Sequence, residues 1–77
     1  MKIKILIFGE LKKIFSKDEF TLENVKNINQ LKKIFFKKYE SFEKKNFKIA
    51  VNEEIILENV NFKNGDEIAF LPIFSGG

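Results

Sequence analysis

Residues 27–42, "NINQLKKIFFKKYESF", decide the fold. Apolar side chains at Ile28, Leu31, Phe35, Tyr39 and Phe42 recur at the three- and four-residue spacing of an amphipathic helix. Asn27 stands where an N-cap belongs, and Gln30 three positions later completes a capping box. The intervening positions are largely lysines, among them Lys32, Lys33, Lys37 and Lys38, so the other face is expected to be solvated. A helix with one apolar side needs a flat apolar surface to lie on.

The flanking segments supply that surface, because there the period changes to two. In "KIKILIF" (2–8), Ile3, Ile5 and Ile7 point one way and Lys2, Lys4, Leu6 and Phe8 the other. Gly9 and the following "ELKKIFSKDE" (10–19) read as a turn and connection, and "EFTLEN" (19–24) as a second strand with Phe20 and Leu22 on one face. After the helix come "FKIAVN" (47–52) and the short "EEIIL" (53–57). "NGDE" (64–67) is a turn, with Gly65 free to take positive φ. The last strand, "EIAFL" (67–71), puts Ile68 and Phe70 on one face and Ala69 and Leu71 on the other. Pro72 has no N–H to donate and is expected to end the pairing. The order β-β-α-β-(β)-β predicts an α+β roll, a mixed sheet wrapped on one main helix, as a single domain over 1–77.

Composition bounds the chemistry. A chain of 77 residues buries only about 60% of its unfolded surface. A 44% hydrophobic content with ten phenylalanines is therefore read as a compact core. Cysteine and histidine are both absent, which excludes disulfides, catalytic thiols, imidazole bases and the usual zinc ligand sets. A reducing, cytoplasmic setting is expected. The run Ile5–Phe8 is too short for a signal peptide's apolar region, and no segment approaches a membrane span. Net charge is +3, and Lys44, Lys45 and Lys48 extend the helix lysines; with acidic residues interspersed, no nucleic acid is expected as partner.

If the isoleucines of the first strand face the helix, then Leu6, Phe8, Ala69 and Leu71 face away, with no second helix to cover them. An exposed apolar patch beside the C-terminus follows, and such patches mark partner sites. The chain then ends in "SGG". A terminal carboxylate is a poor electrophile until activated as a mixed anhydride. Glycine leaves that carbon unhindered and lets the backbone thread a narrow passage. The five residues after Pro72, extended, reach about 17 Å.

Three pieces, "KIKILIFGELKK", "FKIAVNEE" and "KNGDEIAFLPIFSGG", resemble the small subunits of molybdopterin synthase. Those belong to the β-grasp sulfur-carrier family, which also includes the thiamine-pathway sulfur carrier. The match rests on Ala50-Val51-Asn52, on Gly65-Asp66-Glu67 with Ala69, Phe70 and Pro72, and on Gly76-Gly77. Between Ser16 and Phe47 it holds in pattern alone. The chain departs in carrying Lys12 and Lys13 where the family often has arginine, and Ile73 where a second proline is common.

The resemblance implies a β-grasp, ubiquitin-like roll with a flexible Gly-Gly tail at 72–77. It implies that Gly77, behind Gly76, is adenylated by an ATP-using activating enzyme and converted by a sulfur donor to a thiocarboxylate. The tail would then enter the large subunit of a heterotetrameric synthase and pass sulfur to a cyclic pterin precursor. Partner contacts would fall on Phe8, Ile55, Leu71, Pro72, Ile73, Phe74 and Ser75. No cofactor or metal would be stably bound, and the chain would have no catalytic side chains of its own. Alternatives are a carrier for thiamine thiazole or tRNA thiolation, a β-grasp interaction module with an inert tail, and a lysine-driven RNA binder.

Overall fold

The computed structural model describes residues 1–15 and 17–73. Five strands form one mixed sheet in the order β2-β1-β5-β3-β4. They are β1 (Lys2–Ile7), β2 (Glu19–Glu23), β3 (Phe47–Val51), β4 (Glu54–Ile56) and β5 (Glu67–Pro72). The first and last strands lie side by side in parallel, and every other pairing is antiparallel. Helix α1 (Ile28–Lys38) and the single turn α2 (Glu40–Glu43) follow β2. The architecture is the expected ubiquitin-like β-grasp roll.

Alternation sorts the sheet into two faces. Ile3, Ile5, Ile7, Ile49, Ile68 and Phe70 are buried against Ile28, Leu31 and Phe35 of α1. Phenylalanine fills what remains of this small core. Phe42 stacks on Phe47 with ring centroids 4.3 Å apart and also meets Phe70 at 5.1 Å. Phe15 sets its edge against Phe35 and Phe42 at 5.7 and 5.1 Å. Offset and edge-on contacts of this kind add about 0.5–1.5 kcal/mol each beyond burial.

The structure refines the sequence reading in several places. The helical stripe is interrupted: Tyr39 has φ −127° and ψ 86°, and Phe42 reaches the core from the separate turn α2. Asn27 caps α1 as expected, its Oδ1 accepting from the Gln30 N–H at 2.8 Å. The return bond lands one residue early, Gln30 Oε1 accepting from the Lys26 N–H at 2.6 Å. The stretch read as a plain connection contains a 3₁₀ turn, Gly9–Lys13. It buries Leu11, and Phe15 is buried just beyond it. Pro72 still pairs with Phe47 as the last residue of β5. Lys12 meets Asp18 at 3.8 Å in an exposed ion pair, a contact worth little in water.

Candidate functional site: an uncovered groove at the root of the tail

On the face turned away from α1, register builds a groove. Leu6 lies opposite Ala69, Ala69 opposite Ala50, and Ala50 opposite Ile55. One row therefore crosses four strands with two alanines in the middle and larger side chains at its ends. The alanines form the floor. Phe8 and Leu71, one alternation further along, wall one end; Glu53 and Glu67 stand at the other, and the hollow measures about 220 Å³. Phe8 is 42% exposed and Ile55 45%, high values for side chains of this size. Leu6, Ala69 and Leu71 are half-buried, while Ala50 is buried beneath them.

Two local devices hold the groove in shape. Asn52 ties the β3–β4 turn to β5 through three bonds. Its N–H donates to the Glu67 carbonyl (2.7 Å), its Oδ1 accepts from the Glu67 N–H (2.9 Å), and its Nδ2 donates to Asp66 Oδ1 (2.9 Å). Asp66 Oδ2 also accepts from the Lys63 N–H at 2.8 Å, closing the turn that carries Gly65 at φ 86°. At the other end Gly9, at φ 60°, crosses the end of β5. A Cβ there would lie 2.7 Å from Pro72 Cγ, so only glycine allows so close a passage. The tail root is pinned at the end of the groove.

The sequence-derived contact residues divide accordingly. Phe8, Ile55 and Leu71 share the groove. Pro72 is half-buried beneath Gly9. Ile73 leaves that face and lines a larger hollow of about 460 Å³ between α1 and β3–β4, beside Lys32, Lys45, Lys48, Phe36 and Phe47. Phe74, Ser75, Gly76 and Gly77 lie outside the described residues. Glu53, Glu67 and Ala50 were missed, whereas Ala69 follows from alternation. The signal for Ala50 was present, since it sits at an outward position of its strand, opposite Ala69.

The second hollow next to α1, around Lys26, Gln30 and Lys33, offers no free backbone donors at the helix start. The N–H groups of Ile28, Asn29 and Gln30 are taken by the Val60 carbonyl, Asn59 Oδ1 and Asn27 Oδ1. Among the described residues no cluster of acidic or other ligating side chains could hold a metal ion. No described helix is long and apolar enough to cross a membrane. What the described geometry offers is an exposed apolar groove beside the end of β5.

Solved structures share this fold. Putative molybdopterin converting factor subunit 1 from Pyrococcus furiosus superposes with a TM-score of 0.82 at 21% identity, over 94% of this chain and 98% of that one. Small archaeal modifier protein 1 from Methanosarcina acetivorans gives 0.76 at 24% identity, over 99% and 96%. A chain from the complex of molybdopterin-converting factor subunits 1 and 2 of Helicobacter pylori gives 0.70 at 25% identity, over the full length of both chains. Residues 5–77 match the ThiS family. Nearly the whole chain lies within that match, so the protein belongs to the ThiS family and has its small β-grasp sulfur-carrier fold.

Proposed function

We propose that this chain is the sulfur-carrying small subunit of a molybdopterin synthase, with Gly77 as the group that carries the sulfur. One observation bears most of the weight: the uncovered groove of Phe8, Ile55 and Leu71 ends at Leu71, next to Pro72, after which come five residues ending in Gly-Gly. The full-length likeness to a chain from a two-subunit molybdopterin-converting complex supports the same partner class.

The chemistry proceeds at the chain's own end. A Gly77 carboxylate oxygen attacks the α-phosphorus of ATP on an activating enzyme, releasing pyrophosphate and leaving an acyl-adenylate. Hydrosulfide from a sulfur donor then attacks the acyl carbon and displaces AMP, giving the thiocarboxylate. That group is more acidic than a thiol, so at neutral pH it is an anionic nucleophile in a chain without cysteine. Within the large subunit its sulfur attacks the cyclic pterin precursor, and water then cleaves the acyl–sulfur bond, leaving the sulfur on the pterin and restoring the Gly77 carboxylate. Two loaded chains are used for each dithiolene.

The groove supplies the docking energy. Ordering five tail residues costs about 5–10 kcal/mol, which apolar burial at the groove must offset. Deleting Gly77, or adding one residue after it, is expected to abolish sulfur transfer while leaving the fold intact. Unchanged transfer by either variant would remove the carrier mechanism. Partner capture assigns the branch: recovery of a thiazole synthase in place of the large subunit would move the sulfur to thiamine.

A further inference from the structure

We propose that Glu53 determines which partner the groove accepts, by pairing with a lysine or arginine that the partner presents beside the apolar group filling the groove. The proposal rests on the groove being the docking face and adds the charge of what docks there.

Glu53 is held in a conformation that its side chain disfavours. It has φ 72° and follows Asn52 at φ 51° in the two-residue turn between β3 and β4. Positive φ at both central positions makes this a type I′ turn, for which Asn-Gly is the preferred pair. Asn52 meets that preference and Glu53 does not. Strain of this kind persists where the surroundings over-determine it, and it collects at ligand clamps. Here the three Asn52 bonds to Asp66 and Glu67 provide the over-determination.

Charge gives the second, independent observation. The chain has 14 basic residues and a net charge of +3, yet the charged residues lining the groove are Glu53 and Glu67. Lys4 is the register partner of Glu67 across β1 and β5, whereas Glu53 lies in the turn and has no cross-strand lysine. The ion pairs among the described residues are Lys2–Glu23 and Lys12–Asp18, and neither involves Glu53 or Glu67. Glu53 is exposed on a turn tied to β5 through Asn52, and its charge is opposite to that of the chain as a whole. Such a rim admits a basic partner and penalises an acidic one, the usual way that charge sets specificity.

The test uses the full-length chain and the purified large subunit from the same organism, with affinity measured at low and moderate salt and stability in urea. Glu53→Gly is expected to raise the urea midpoint, because the turn relaxes, and to weaken binding by about fivefold or more. A residue with a merely structural role would shift both quantities in the same direction. Glu53→Gln keeps the strained turn, and it is expected to weaken binding comparably and to flatten its salt dependence. Leu71→Lys serves as the reference for the groove itself. If Leu71→Lys binds poorly while both Glu53 variants bind like the wild type, the proposal falls and the docking face stands. If Leu71→Lys also binds like the wild type, or the wild type does not bind, the docking face falls and Glu53 with it. A lower urea midpoint for Glu53→Gly would overturn the strain argument on which the proposal depends.

Discussion

The two faces of this sheet are made by the same strands and have different tasks. On the inner face every outward-alternating neighbour is excluded, and isoleucine and phenylalanine pack against α1 until almost no surface is left. On the outer face the same strands place alanines at the centre and leave Phe8 and Ile55 in water. A chain selected for stability alone would cover or replace those groups. The inner face therefore carries the folding free energy, and association is the role proposed for the apolar surface left on the outer face.

Substitutions separate the two faces most sharply at the core. Phe42→Ala removes a fully buried ring that touches Phe15, Phe47 and Phe70, and should cost about 3–5 kcal/mol in urea unfolding. For a domain this small that is a large part of the total. A loss below about 1 kcal/mol would mean that the aromatic cluster is not the centre of the core. Asn52→Ala comes next, since it deletes two side-chain bonds at a position with φ 51°. About 2 kcal/mol is expected, together with weaker partner binding as the turn loosens from β5. Asn27→Ala strips the N-cap of α1 and should cost about 1 kcal/mol with binding unchanged, because the cap lies on the covered side. Phe8→Lys should have the smallest effect on stability, within about 0.5 kcal/mol, since the residue lies on the surface and is already 42% exposed. Its effect on partner affinity should nevertheless be the greatest of the four, which calorimetry with the large subunit would measure. Global unfolding of Phe8→Lys would place that side chain in the core and erase the distinction between the faces.

The inner face was largely legible because its signals are periodic. The isoleucines of β1, the pair Ile68 and Phe70, and the helix stripe all follow from spacing, and all are buried except Tyr39, which is half-buried. What spacing could not reveal lies where no period can develop. Leu11 sits in a 3₁₀ turn of only five residues, and Phe15, Val25 and Phe62 lie outside every regular element. Their burial depends on tertiary contacts; Phe62, for example, is drawn in as its N–H reaches the Lys26 carbonyl at 2.8 Å. The break at Tyr39 was hidden for a related reason, because Phe42 keeps helical spacing across it.

On the outer face, Leu6, Phe8, Ala69 and Leu71 followed from alternation once the inner set was fixed. Ile55 came from family resemblance, and register explains it, since Ile55 lies opposite Ala50. Glu53 could not have been found, because its distinction is a backbone angle rather than a residue pattern. Ile73 illustrates the reverse: grouped with the tail contacts by sequence, it lines the lysine-bordered hollow on the other side.

The proposal that Gly77 carries sulfur is tested most directly by the mass of the C-terminal peptide from protein purified from its own host. A fraction heavier by about 16 Da, one oxygen exchanged for sulfur and localised to Gly77, is the predicted result. An unmodified Gly77 under conditions where the activating enzyme and sulfur donor are active would contradict it.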